Sequence, residues 1–447
     1  MGGYKGKHVF HCIFLFLLIF LFMSAINKGQ QSSRNIIGTY GLLGTLILYC
    51  LRLSPLFPII KTIFNFCGLV FYNAFPKNVE LKSSLTRAPF LCIRVVTRGL
   101  FPNLILRNVP RNLEICKNVG LENFVLEVVT DYPIFIPKNE KVREIIIPSS
   151  YETKNGSLFK ARALHYCWED SVNKLSDSDW IVHLDEETLL TEDSLKGILN
   201  FVTEDKYDFG QGTIIYASEI VNWFTTLADA YRVAQDMGMF RFQFYAFNKP
   251  ILGWKGSFMV AKAISERKVS YDHGPEGSIS DGHFALKASS MGYTFNFIEG
   301  EMWELSPLTV FDLIRQRKRW LQGMIITGNC EKIPFKYRLL FLLHTYAWLA
   351  LPLRVCNYFT AEYYPVPFPY VLDLLIAFIG AVGIYLHIYG SIRSYSMKQY
   401  GYFKIILVLA TIMILPVVLI LEVVAIILAI FTEKKEFYVI DKNIWKT

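Results

Sequence analysis

Apolar and polar positions divide the chain into two oily ends and a mixed centre. At the start, Val9 to Ile26 is an 18-residue run without a charge. Ile36–Leu51 and Leu56–Phe75 are further apolar stretches, interrupted by Arg52, Pro55, Pro58 and Lys61. Toward the end, Val366–Ile392 and Tyr402–Thr432 each exceed the ~20 residues that cross a bilayer. Leu339–Leu353 is shorter and either spans or lies at the interface. The pattern therefore divides the chain into N-terminal membrane segments (1–76), a central domain (77–335), C-terminal transmembrane or interfacial helices (336–432) and a polar tail (433–447).

Within the centre the apolar period changes repeatedly between strand and helix. "FLCIRVVTRG" from Phe90, "NFVLEVVTD" from Asn123, "REIIIPSS" from Arg143 and "DWIVHLDEET" from Asp179 read as buried strands. Helices are expected through Pro102–Val119, where Pro110 would break or begin one, and through "LFKARALHYCWED" from Leu158. Thr191 is positioned to cap another helix, with Glu192 and Asp193 in its first turn. Strands alternating with helices predict an α/β domain with a mostly parallel, Rossmann-like sheet. Ligands of such sheets lie beyond the carboxyl ends of the strands. Asp131 and Asp185 both occupy that position.

Composition agrees with a membrane-attached chain. Of 447 residues, 53% are hydrophobic and 19% charged. Lys5 and Lys7 ahead of an apolar core resemble a signal peptide. The long core, with more apolar stretches behind it, favours a retained anchor. The net charge of +8 is uneven: Arg315, Arg317, Lys318, Arg319, Lys332, Lys336 and Arg338 precede the first C-terminal apolar segment. That cluster places the central domain on the cytosolic side of its membrane and suits anionic headgroups. Lys434 and Lys435 put the C-terminus there too, which requires that Leu339–Leu353 not span. The sequon Asn155-Gly156-Ser157 would then stay unmodified. The eight cysteines form no C-x-x-C pair and read as reduced thiols. No basic-aromatic pattern points to nucleic acid. P-loop, G-x-S-x-G and H-E-x-x-H signatures are absent.

Asp185, Glu186 and Glu187 pose the chemical question, because three adjacent carboxylates at the end of a buried strand repel one another. A hard divalent cation, Mn²⁺ or Mg²⁺, held by Asp185 and Glu187 and shared with a diphosphate, removes that repulsion. Asp281 stands at the start of a helix ending at Gly292, and Gln316-x-x-Arg319-Trp320 follows.

In order and spacing these residues resemble the family 2 inverting glycosyltransferases of the GT-A fold, over roughly Pro89 to Gly323. The resemblance implies that Asp131 contacts the nucleoside and that Asp185-Glu186-Glu187 is the metal and diphosphate motif. It implies a catalytic base at the end of Ile279-Ser280-Asp281, and an acceptor and diphosphate site at Gln316 to Trp320. "HLDEET", "EGSISDGHFALKA" and "RKRWLQG" further resemble the animal β-1,4-mannosyltransferases of glycosphingolipid synthesis. That likeness implies GDP-mannose as donor, glucosylceramide as acceptor, and a multi-pass protein of the ER or Golgi. Thr97, Arg98, Lys160 and Arg162 are the remaining donor-side candidates, with Lys160 and Arg162 equally readable as a solvated face. Trp254, Lys255 and Gly256 are acceptor-side candidates beside Asp281 and Trp320, Trp254 serving as a sugar platform or as core. His283 either completes a metal site or makes local hydrogen bonds. Three departures stand out: Glu187 replaces the second aspartate, Ser280 stands where the family usually has Glu, and the first strand ends Val96-Thr97-Arg98-Gly99 without the acid often found nearby.

Three other readings compete. A processive polysaccharide synthase uses the same motifs but needs more spans after Trp320. Transfer to a polyprenyl phosphate would not need Asp281 as a base. A nucleotide-binding transporter or receptor would carry more charge in its spans than Lys61, Lys404 and Glu422 provide.

Overall fold

The computed structural model describes residues 2–26, 35–277 and 280–432; Ile279 and the tail 433–447 lie outside it. Seven strands build one sheet: β1 (Leu91–Thr97), β2 (Phe124–Thr130), β3 (Val142–Ile146), β4 (Trp180–Asp185), β5 (Phe209–Ile215), β6 (Met259–Lys262) and β7 (Phe295–Trp303). Their order is β3-β2-β1-β4-β6-β5-β7. The first four run parallel, β6 lies antiparallel to both β4 and β5, and β5 and β7 are parallel. β1 is almost wholly buried, as a central parallel strand covered by helices on both faces should be.

The register aligns the strand ends. Thr97 pairs with Thr130, and Val96 with Asp185, so the loops carrying Arg98, Asp131 and Glu187 leave the sheet side by side. Lower on the same strands a charged rung crosses the core: Glu127, Arg94 and His183 are register partners. Arg94 donates from Nε and Nη2 to Glu127 at 3.0 and 2.9 Å, and His183 Nε2 meets Glu266 at 2.5 Å. These groups are fully buried, so burial lowers the His183 pKa even though Glu266 opposes the shift.

The expected helices form, with differences that have local causes. Pro102–Val119 continues through Pro110, because Val109 and Asn112 on either side of it are buried against the domain. It begins with Pro at its first position and ends at left-handed Gly120, whose N–H reaches the Cys116 and Lys117 carbonyls. Thr191 caps Glu192–Glu204 through a reciprocal pair with Ser194.

The oily ends form helices at Gly2–Ser24, Ile36–Leu53, Ile59–Phe71, Phe335–Leu349, Leu351–Thr360, Tyr370–Ser394, Phe403–Met413 and Leu415–Phe431. Three described segments are long and apolar enough to cross a membrane: Lys5–Ser24, Ile36–Phe71 and Tyr370–Ser394. Leu339–Leu353 is not one helix but part of two that meet at 44°, and Tyr402–Thr432 is likewise broken, by 48°. Pro352 and Pro416, each at the start of the second helix of its pair, account for both breaks.

Candidate active site

One cavity of about 1600 Å³ runs from the carboxyl ends of β1, β2 and β4 to the apolar helices. Its polar end is built by alternation along a strand that is ending. Asp185, Glu186 and Glu187 all line it, and the Glu186 carboxylate accepts from the Thr97 hydroxyl. Thr97 Oγ1 also accepts from the Gly99 N–H at 3.0 Å, so its side chain braces the acidic turn. Asn108 fixes the same turn by donating to the Glu186 carbonyl at 3.0 Å.

The helix Phe159–Tyr166 delivers two cations to this end. Lys160 Nζ lies 2.6 Å from Asp185 Oδ1 and donates to the Gly256 carbonyl at 2.8 Å. Burial works to lower the Lys160 pKa, but Asp185 and Asp281 outweigh it and the net shift is upward. Arg162 Nη2 reaches Asp131 Oδ1 at 2.6 Å, and Arg98 Nε is 3.8 Å from the other carboxylate oxygen. Both helix cations therefore face the cavity rather than solvent.

Asp281 opens the helix Asp281–Ser290, with the Ser280 hydroxyl accepting from the Gly282 N–H at 3.2 Å. Ser280 thus serves as the cap of this helix. The Asp281 carboxylate lies against the Cα of Gly256, so close that a Cβ there would overlap it. Lys160, Asp185, Gly256 and Asp281 thus converge. Arg319, from the helix Val310–Asn329, joins them: burial lowers its pKa, and the fields of Asp185, Asp281 and Glu187 oppose that shift.

The rest of the Gln316–Trp320 segment is held by packing. Among the described residues, the Gln316 Oε1 is buried without a hydrogen-bond partner, in a residue that lines the cavity. Two guanidinium groups sit over the Trp320 ring, Arg317 at 4.5 Å and Arg232 at 4.7 Å. Arg317 also bonds Asp229 at 2.6 Å and Glu422 at 3.0 Å, tying this helix to the last apolar one.

Trp254 lines the cavity, yet its indole packs edge-on against Phe244 and Phe295 and its N–H points to the Met259 sulfur. Lys255 is 2.5 Å from Asp236, and burial disfavours both charges, lowering the lysine and raising the acid. His283 faces away from the acids, toward Cys330 at 3.6 Å and the His273 ring at 5.1 Å. It does not join Asp185 and Glu187 in a metal site.

Burial pushes the His283 pKa down to about 3 and that of His273 to about 4. Both imidazoles are neutral in the folded protein, and the unfolded chain, titrating near 6.5, binds the extra protons. Stability they permit is complete above pH 6.5 and falls as the pH drops from there toward 3. Thermal melts of wild type and His283→Gln between pH 4 and 7 should show a shallower acid decline for the variant. Parallel declines would assign the acid sensitivity elsewhere.

Sequence reasoning missed three lining groups. Asp236 lies on a π-helical segment, Asp236–Phe240, whose register has no sequence signal. Glu304 accepts from the Thr188 hydroxyl at 2.7 Å, and Thr188 in turn accepts from the Asp185 N–H at 3.2 Å. Ser257 completes that chain, 2.7 Å from Thr188. The Asn155 amide of the sequon is bonded to Asp272, at 2.9 and 3.1 Å.

Comparison with known proteins gives the family of the chain. Residues 180–431 match the family described as Glycosyl transferase family group 2. The chain is similar to the beta-1,4-mannosyltransferase egh of Drosophila melanogaster, with 49% identity over 446 residues covering 98% of each chain. It is also similar to the beta-1,4-mannosyltransferase bre-3 of Caenorhabditis elegans, at 44% identity and the same coverage. Among solved structures, a mannosyltransferase of Pyrobaculum calidifontis in complex with GDP-Man and Mn²⁺ aligns with a TM-score of 0.47 and 14% identity, over 88% of this chain and 99% of that one.

Proposed function

This chain belongs to glycosyl transferase family group 2, among its β-1,4-mannosyltransferases, and is a hexosyltransferase with a GT-A-like fold; from that premise we propose that it transfers mannose from GDP-mannose to glucosylceramide in β-1,4 linkage. The observation that carries the site assignment is the convergence of Asp281, Gly256, Lys160 and Asp185 at one end of a cavity whose other end is apolar. A polar reaction centre continuous with membrane-side helices suits a sugar donor from water and an acceptor anchored in lipid.

In this reading the reaction is a single displacement with inversion at the anomeric carbon. Asp281 takes the proton from the attacking hydroxyl of the acceptor glucose. Lys160 and Arg319 hold the diphosphate and balance the charge that develops on it as the sugar leaves. Asp131, steadied by Arg162, receives the nucleoside, with Arg98 beside it. Gln316 offers its amide to the bound substrates, and Lys255 and Trp320 border the acceptor. Asp185 and Glu187 present two hard carboxylates to the cavity with space for phosphate oxygens, a donor set that fits Mn²⁺ or Mg²⁺. Such a cation would supply Lewis-acid neutralisation of the diphosphate.

The apolar helices are read as membrane spans and interfacial helices of a multi-pass ER or Golgi protein with a cytosolic catalytic domain. Their large outward side chains, such as Phe10, Leu43, Met413 and Phe431, support that reading. Purified protein given radiolabelled GDP-mannose, glucosylceramide and Mn²⁺ in detergent should form a mannosylated lipid, and chelation should abolish it. Transfer from a UDP-sugar instead would sink the donor assignment while leaving the site intact.

A further inference from the structure

The cavity wall carries four basic side chains that the proposed reaction does not use: Lys61, His344, Arg354 and His387. They come from four separate helices, and two of them, Lys61 and His387, meet at Tyr231. The Lys61 ammonium lies 5.1 Å from the Tyr231 ring centroid. The His387 ring is 4.6 Å from the same ring. The Lys61 charge reaches both His344 and His387, and Arg354 is within electrostatic reach of Tyr231.

Among the described residues, no carboxylate comes within ion-pair distance of Lys61 or Arg354. The acids of the two long C-terminal helices are already committed, Asp373 to Arg52 and Glu422 to Arg317 and Trp348. Arg354 spends one nitrogen on the Ala347 carbonyl at 3.1 Å, while its Nε and the His344 Nδ1 are buried without any hydrogen-bond partner. Polar atoms withdrawn from water without partners are costly, and beside two cations in a membrane-side wall they suit an anionic ligand.

We propose that Lys61, Arg354, His344 and His387 form a subsite for the phosphate of an anionic lipid, separate from the donor diphosphate site. Depth fits a headgroup. His387 is six residues before Arg393, about 9 Å along the helix, and Arg393 bonds Glu301 of β7 at 2.9 Å. Beyond the basic ring the lining turns apolar at Ile376, Ile379, Leu415 and Leu419, where acyl chains would run. Guanidinium and ammonium groups together match the oxygens of a phosphate monoester, and the apolar continuation selects a lipid over a free anion.

The test uses the full chain in phosphatidylcholine nanodiscs with and without phosphatidic acid, read by native mass spectrometry after release. Wild type should retain phosphatidic acid, and Lys61→Met/Arg354→Met should retain at least about fivefold less. Lys61→Arg, which keeps the charge, should keep wild-type retention, and Lys398→Met, remote on the surface, should not alter it. Melting curves confirm that the double variant is folded; if it is not, each single variant is measured instead. Competition by inorganic phosphate would keep the phosphate site and overturn its lipid source. Equal retention by wild type and the folded charge-removal variants would overturn the subsite. Retention is read without any transfer assay, so its failure and that of the mannosyl-transfer reading are distinguishable.

Discussion

Asp281→Asn should lower kcat by roughly 10²- to 10⁴-fold, the usual contribution of a positioned general base, with the fold and donor affinity retained. Asparagine keeps the size of the side chain, and the helix cap is made by Ser280, not by Asp281. Lys160 stays anchored, because its partners are the Asp185 carboxylate and the Gly256 carbonyl. What the variant loses is the ability to accept a proton from the acceptor hydroxyl. Single-turnover transfer from GDP-mannose, with donor binding measured separately by calorimetry, isolates that step. A rate within threefold of wild type would place the base on another group and leave Asp281 a helix-start acid.

Much of the arrangement behind that expectation was legible in the sequence. β1, β2 and β4 are apolar runs, each interrupted once, by Arg94, Glu127 and His183, that stop at polar residues, which is how buried parallel strands announce themselves. Their carboxyl ends therefore located Asp131 and Asp185 before any geometry was available. Asp281 was legible only through its company, since a lone acid at a helix start is common. β5 was not legible. Its "FGQGTII" has two glycines, and the reason lies in distant packing: a Cβ at Gly210 would strike Ile298, and one at Gly212 the Phe258 ring. β7 was hidden similarly, because its charged "IEGE" interrupts the apolar pattern and Gly300 takes a positive φ of 94° against Asp193 and Ser194.

The inner and outer roles within Asp185-Glu186-Glu187 were only partly readable. Alternation predicts that neighbours face opposite ways, but nothing in the sequence pairs Glu186 with Thr97, whose hydroxyl braces the turn from within the cavity wall. The bends at Pro352 and Pro416 had visible breakers, yet which side each helix would lean toward depends on what it packs against. Lys61 and Arg354 illustrate the same limit. They lie far apart in sequence, one in an N-terminal segment and one after the Gln316–Trp320 helix, and only the fold brings them to one wall.

Gly256→Ala should cost activity without costing the fold. The three atoms nearest to a Cβ at position 256 are Cγ, Oδ1 and Oδ2 of Asp281, all too near for contact. No backbone strain is involved, since Gly256 is not among the positive-φ glycines. The obstruction is the free end of a side chain, so the carboxylate can swing aside, and the change in stability should stay near ±0.5 kcal/mol. That movement displaces the base from the acceptor hydroxyl, and a misplacement of about 1 Å costs on the order of 10²-fold in rate. Melting temperature and kcat/KM measured on one preparation separate the two effects. Because both substitutions act through the same carboxylate, Gly256→Ala/Asp281→Asn should transfer mannose no more slowly than Asp281→Asn alone. Additive losses would mean that Gly256 serves the reaction some other way, through the carbonyl it offers to Lys160 or through the shape of the acceptor pocket.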